Sequence, residues 1–316
     1  MFDIVSMGEI LIDLTQTGKN EQNIPVYAAN PGGAPANVAV AASKLGAKTA
    51  FCGMVGEDAF GTYLKKTLEQ YHVSTDLLYV HDSPTTMAIV SVNTNGERSF
   101  RFVRGADSSL TTSDIDVSGC MDTKILHFGS VSLTAEPART TTLDIVSQAR
   151  QNNICISYDP NYRASLWTSE AEAVKWMKKP LSMVDILKIS DEELPLLTGT
   201  TDLEEGSRIL SGYGISLILI TLGSEGAYYR YHDKTGMVPG VKTTVADTNG
   251  AGDTFFGALL CGLAKESNWQ ECSIDTLESY IALANRAASI TCSGSGAIPS
   301  MPTKAQLIEI DNDIKG

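Results

Sequence analysis

Two short glycine-containing stretches, far apart in the chain, hold the residues best suited to chemistry. The later one is Asp247-Thr248-Asn249-Gly250-Ala251-Gly252-Asp253, between an extended run ending at Ala246 and the helical run Thr254–Leu263. Small residues at Gly250, Ala251 and Gly252 let successive backbone N–H groups converge on one point. A helix N-terminus at that point favours an anion. The stretch lacks the G-x-x-x-x-G-K-[ST] pattern, so it reads as an anion hole without a lysine rather than a P-loop. Asp253, in the first helical turn, is placed to take a proton from a hydroxyl attacking a phosphoryl group held beside it. A tight turn with an acidic helix start has the same pattern, and this stretch alone leaves both readings open.

The earlier stretch is Pro31-Gly32-Gly33-Ala34-Pro35-Ala36-Asn37, ahead of an Ala/Val-rich helix. Gly32 and Gly33 allow a ligand to approach the backbone closely. Asn37 offers a donor and an acceptor, and Asp13 sits in the extended stretch before it. Such a set suits a polyhydroxylated ligand, with specificity from paired polar groups. A plain helix-entry turn is the other reading.

The elements that must position these residues alternate along the chain. Apolar β-branched runs at Phe2–Met7, Lys48–Gly53, Ile125–Phe128, Ile154–Tyr158, Ile186–Ile189 and Leu217–Thr221 read as buried strands. Helical patterns lie between them, at Ala34–Leu45, Gly61–Tyr71, Arg139–Gln151, Ser169–Lys179 and Leu203–Tyr213. From Ala251 on the pattern is mostly helical: Ala251–Ala264, Ser273–Thr291 and Thr303–Asp313. This predicts an α/β fold with a parallel sheet covered on both faces. Two places break the rhythm. Ile10–Thr15 pairs with Ile24–Ala29, and Thr85–Val92 pairs with Arg98–Val103 across the turn Asn93-Thr94-Asn95-Gly96. They predict a small separate β-layer from about 10–30 and 85–105, able to act as a lid on a single domain spanning 1–316. A hairpin on the sheet edge is the alternative.

Composition narrows the function. The chain has 316 residues and a net charge of −13, from 24 basic and 37 acidic residues. A nucleic-acid partner is excluded on that field, and any site for ATP or an anionic sugar must be locally positive. The six cysteines are scattered, with no C-x-x-C pair, as expected of buried free thiols in a reducing compartment. The start has no basic segment or long apolar core, and no run approaches the ~18–20 apolar residues of a membrane span. A soluble cytoplasmic protein is the expectation.

Taken together, the two stretches resemble a paired signature. Gly32-Gly-Ala-Pro-Ala-Asn37, Gly53-Met-Val-Gly-Glu-Asp-Ala-Phe-Gly61 and Asp247-Thr-Asn-Gly-Ala-Gly-Asp253 are similar to the two signatures of the ribokinase-like (PfkB-type) carbohydrate kinases. The likeness covers nearly the whole chain, including the two-part lid. Within the family the chain resembles the fructokinases, through Arg104-Gly-Ala-Asp107, Asp159-Pro-Asn-Tyr-Arg163 and Thr221-Leu-Gly-Ser-Glu-Gly226.

The resemblance implies a three-layer α/β/α sandwich around a mostly parallel sheet with a β-sheet lid. The implied activity is ATP-dependent phosphorylation of a sugar hydroxyl, fructose to fructose 6-phosphate. A 2-keto-3-deoxygluconate kinase, a riboside kinase and a non-catalytic sugar-binding protein are the alternatives. Asp253 would be the base, with Gly250, Ala251 and Gly252 forming the anion hole. Asp13, Gly32, Gly33 and Asn37 would hold the sugar, helped by Phe102, Arg104 and Arg163. Thr221, Gly223 and Gly226 would line the nucleotide site, with Asn285 near the adenine and Lys188 on a phosphate. Glu193 would act on Mg²⁺ through water, although Ser190 replaces the Asn of the family's Asn-x-x-Glu element. K⁺ would bind at Asp247 and Asn249, with Thr291, Gly294, Gly296 and Ser300 on a later loop; Asn249 stands where the family usually has Thr. A homodimer paired through the lids completes the expectation.

Overall fold

The structure is a computed structural model describing residues 1–92 and 98–308. The chain opens with β1 (Phe2–Met7), β2 (Leu11–Lys19) and β3 (Pro25–Gly32), followed by α1 (Ala34–Lys44), β4 (Thr49–Gly56), α2 (Ala59–Gln70), β5 (Leu78–His81), β6 (Met87–Val92) and β7 (Arg98–Val103). Next come α3 (Val117–Met121), β8 (Thr123–Gly129), α4 (Ala138–Gln151), β9 (Cys155–Asp159), α5 (Glu170–Lys178), β10 (Ile186–Ser190), α6 (Leu194–Thr198) and α7 (Leu203–Ser211). The last part holds β11 (Leu217–Thr221), β12 (Gly226–Tyr231), β13 (Lys234–Pro239), α8 (Ala251–Leu263), α9 (Ile274–Ser293) and α10 (Ala297–Ser300).

The main sheet runs β13-β12-β11-β10-β9-β8-β1-β4-β5. Its pairs from β11 to β5 are parallel, and β12 and β13 are added antiparallel at one edge. Side-chain alternation builds two cores. In β1, Ile4 faces one core and Val5 and Met7 the other; in β11, Leu217 and Leu219 oppose Ile218 and Ile220. A strand buried on both faces needs no polar side, so its sequence is a continuous apolar run. Helix α8 is buried from Asp253 to Leu263. It packs against α1 and α9 with no solvent face, which is why it is apolar all round.

A second sheet, ordered β3-β2-β6-β7, supplies both breaks in the alternation. β2 pairs antiparallel with β3 and parallel with β6, while β6 and β7 form an antiparallel pair. Asp58 fastens this sheet to the body. Its carboxylate caps α2 at the Gly61 N–H (2.7 Å) and accepts from the Thr85 N–H (2.8 Å) and hydroxyl (2.7 Å) just before β6.

Some expectations change. No strand ends at Ala246: β13 stops at Pro239, and the segment up to Asp247 has no strand neighbour to hold an extended run. The β12–β13 pair was not foreseen. Thr291 lies in the last turn of α9 rather than on a loop, and part of the following segment is α10. The helix from Leu203 ends at Ser211, just before Gly212 and Gly214. The expected hairpin turn at Asn93–Gly96 and the end of the expected helix Thr303–Asp313 fall outside the described residues. Among the described residues no helix is long and apolar enough to cross a membrane.

Candidate active site

The site forms at the carboxyl ends of the parallel strands, where α1 and α8 begin. Gly250 caps α8 with φ at 74°, and a Cβ there would lie 2.6 Å from the Ala297 Cβ. Only glycine fits that turn. Gly33 plays the same part for α1, with φ at 107° and the Glu9 carbonyl 2.5 Å from a would-be Cβ. The two helix starts then face each other: the Asn37 amide donates to the Asp253 carboxylate at 2.8 Å.

One cavity is lined by Asp13, Gly33, Asn37, Phe102, Asn161, Arg163, Gly250 and Asp253, among others. Leu11, Asp13 and Phe102 reach it from the small sheet, and the rest come from the body. Gly32, at the end of β3, lies beside the Asp13 carboxylate. Arg104 is not on the cavity wall. Its guanidinium pairs with Asp107 (2.8 Å) and donates to the Thr134 hydroxyl (2.6 Å) and the Val131 carbonyl (3.3 Å), fixing the chain where it leaves β7.

A second cavity lies on the other side of the α8 start. Thr221, Gly223, Gly226 and Asn285 line it, together with Ala251 and Gly252. The Asn285 amide donates to the Val238 and Pro239 carbonyls, both at 3.1 Å, and so ties α9 to the end of β13. The first turn of α8 therefore divides the two cavities. Its leading N–H groups lack intrahelical acceptors. That of Ala251 turns back to the Thr248 carbonyl at 3.3 Å.

Charge around this turn is mixed. Asp253 is 8% exposed, and burial raises its pKa; the Lys188 charge, the Asn37 hydrogen bond and the Arg163 charge oppose that rise. Lys188 pairs with Asp159 at 2.7 Å. Burial alone would lower the lysine's pKa, but Asp159, Glu193 and Asp253 together raise it, so the ammonium persists. Burial pushes Asp159 up to about 6 against the pull of Lys188. Both oxygens of Glu193 take backbone N–H groups, from Tyr162 (2.6 Å) and Ser190 (2.8 Å). Each oxygen keeps a lone pair, which leaves room for a water-mediated cation contact.

The Asp247 carboxylate accepts from the Asn249 N–H (2.9 Å) and the Gly296 N–H (3.1 Å), joining the turn before α8 to the segment after α9. Gly294 lies against the Ser300 hydroxyl in that segment. The Thr291 hydroxyl meets that of Thr254 at 3.0 Å. These contacts join Asp247, Asn249 and Gly296 and, separately, Gly294 and Ser300, while Thr291 is held inside α9 against α8.

Sequence reasoning missed Glu9, which lines the first cavity. It is 3% exposed; one oxygen accepts from the Ala34 N–H at 3.1 Å and the other has no partner. Burial pushes its pKa up to about 8. A lone acid in the apolar run Ile4–Ile12 was the available signal. Asn161, inside the stretch Asp159–Arg163, also lines that cavity. His127 and Trp167 are core residues; the His127 ring meets the Ser157 hydroxyl at 2.8 Å and Phe256 edge-on.

Comparison with known proteins places the chain and its fold among sugar kinases. The family description "pfkB family carbohydrate kinase" matches residues 1–304. Fructokinase-1 of Zea mays is 38% identical over 313 residues, covering 97% of each chain. A fructokinase of Xylella fastidiosa solved with bound ATP superposes with a TM-score of 0.90 at 27% identity, covering 99% of each chain. A double-mutant fructokinase of Vibrio cholerae O395, solved with fructose, ADP and a potassium ion, superposes at 0.88 with 30% identity and 98% coverage of each chain.

Proposed function

This chain belongs to the pfkB family of carbohydrate kinases, and from that premise we infer an ATP-dependent fructokinase that makes fructose 6-phosphate. One observation carries the reading: the first turn of α8 lines both cavities, with Asp253 on the sugar side and Ala251 and Gly252 on the nucleotide side. A phosphoryl group crossing that turn passes the base and the helix N-terminus together.

Fructose is held by Asp13, Asn37, Gly33 and Arg163, with Phe102 covering it. ATP lies along Thr221, Gly223 and Gly226, its adenine towards Asn285. Asp253 takes the proton of the terminal hydroxyl as that oxygen attacks the γ-phosphoryl group. The α8 N-terminus and Lys188 stabilise the charge that develops. Closure of the small sheet as a lid keeps water from the transferring group. Mg²⁺ bound with the nucleotide would supply further charge neutralisation, and Glu193 would hold it through water. Among the described residues no cluster of three or more acidic, His or Cys side chains would hold a metal alone, which fits an ion carried by the nucleotide. Asp247, Asn249, Thr291, Gly294, Gly296 and Ser300 suit K⁺, since hard cations take oxygen ligands. A cytoplasmic location is part of the reading, supported by six free cysteines.

The test is a panel of fructose, ribose, 2-keto-3-deoxygluconate and aminoimidazole riboside with ATP, following ADP release and locating the phosphate by NMR. Fructose should give the highest kcat/KM, with phosphate on O6. Preference for another member of the panel, or sugar binding without ADP release, would overturn the reading.

A further inference from the structure

We propose that Asp159 is a positioning residue that sets both halves of the site, one oxygen holding the sugar loop and the other holding Lys188 against the anion hole. The proposal rests on the kinase reading above. Asp159 ends β9, is 1% exposed and lines neither cavity, so it touches no ligand itself. Its Oδ1 accepts from the Asn161 N–H at 3.1 Å. Asn161 has φ at 46°, a conformation that a side-chain hydrogen bond two residues back supports. Asn161 and Arg163 on that loop reach the sugar cavity.

The other oxygen, Oδ2, takes the Lys188 ammonium at 2.7 Å. That ammonium lies 3.0 Å from where a Gly252 Cβ would stand, hence beside the first turn of α8, although Lys188 itself lines neither cavity. Asp253 also acts electrostatically on Lys188. A buried ammonium needs a counter-charge, and without Asp159 it would turn to the remaining carboxylates. Asp253 is one of them, and a base paired to a lysine is a poorer proton acceptor. Asp159 thus keeps the lysine on the phosphoryl path and away from the base.

Two oxygens with two tasks can be separated. Asp159→Asn keeps an acceptor for the Asn161 N–H and removes the charge facing Lys188. In that variant kcat should fall about 10- to 100-fold, the size of a lost charge-assisted hydrogen bond, while the fructose KM moves less than about threefold. Asp159→Ala should show the same loss in kcat and, in addition, raise the fructose KM about 10-fold as the loop loses its support. Lys188→Met should lower kcat on its own, and the double variant Asp159→Asn/Lys188→Met should be no slower than Lys188→Met.

A kcat for Asp159→Asn within about twofold of the parent would overturn the proposal, since a lost charged contact costs more than that. So would a double variant that loses the product of the two single factors, because then Asp159 does not act through Lys188. An unchanged fructose KM in Asp159→Ala would overturn the loop half. Should Asp159→Ala fail to fold, its loop half is decided by Asp159→Leu, which fills the buried site without offering an acceptor to the Asn161 N–H and should likewise raise the fructose KM about 10-fold; an unchanged KM there would overturn it. The parent's own turnover of fructose tests the kinase reading separately; if another sugar is preferred, the same ratios are read with that sugar.

Discussion

Asp253 is the residue on which the chemistry turns. Asp253→Ala should lower kcat by about 10²–10⁴, the usual size of a general-base contribution, with little change in sugar affinity. Near-normal turnover in that variant would remove the base assignment. A base works only when ionised, so activity must fall as pH falls through its pKa. Burial raises that pKa, so the acid limb of kcat/KM should lie above the ordinary carboxylate range. A pH–rate profile with its acid midpoint at or below about 4 would contradict this. Glu9 gives a stability counterpart. Its folded pKa of about 8 exceeds the ordinary value, so its contribution is complete at low pH and lost as pH rises through the window up to about 8. Glu9→Gln keeps the neutral form. Denaturant melts should show the parent losing up to about 1.4 kcal/mol per pH unit relative to the variant between about pH 5 and 8. Parallel curves would sink the claim. Asp253 was legible because its glycine context is local. Glu9 shows in the sequence only as a lone acid in an apolar run, because its burial depends on Ala34 and the loop around it.

At the level of elements, the turn into α8 is the most constrained piece. Gly250→Ala must force a side chain into a left-handed conformation and against Ala297. That should cost about 1–3 kcal/mol of stability, and kcat should fall as the α8 amides move. A variant with unchanged melting and unchanged kcat would show that the turn tolerates a Cβ. The parallel strands and long helices were legible in the sequence, since buried runs and helical periods are local patterns. β12 and β13 were not, because Tyr228, Tyr229, Tyr231 and Arg230 mix polar and aromatic side chains in a strand buried throughout. Arg230 is satisfied there by the Ser207 hydroxyl and Glu204, a tertiary arrangement that sequence alone does not announce. The stretch before Asp247 misled for the opposite reason. Its β-branched residues suit a strand, but no neighbouring strand is there to pair with it, and Val245 is 60% exposed.

For the whole molecule, the small sheet leaves β3 and β7 as edges. Ile24, Val26 and Tyr27 at the β3 side and Val103 at the β7 side are exposed apolar residues. An open apolar edge is a liability that a second copy would cover. Equilibrium sedimentation at micromolar concentration should give a dimer, and Val26→Glu with Tyr27→Glu should give a monomer. A clean monomer for the parent would refute pairing through the lids. The acidic surface, at −13 overall, should make sugar turnover insensitive to added nucleic acid.

The β2–β6 pairing also bears on how the enzyme is made. Ile12 lies beside Met87, with β3, α1, β4, α2 and β5 intervening in the chain. Contacts that span so much chain carry a loop-closure cost until the intervening elements are in place. The acceptor pocket is therefore among the last parts to assemble, and on dilution from denaturant catalytic activity should return later than helical circular dichroism.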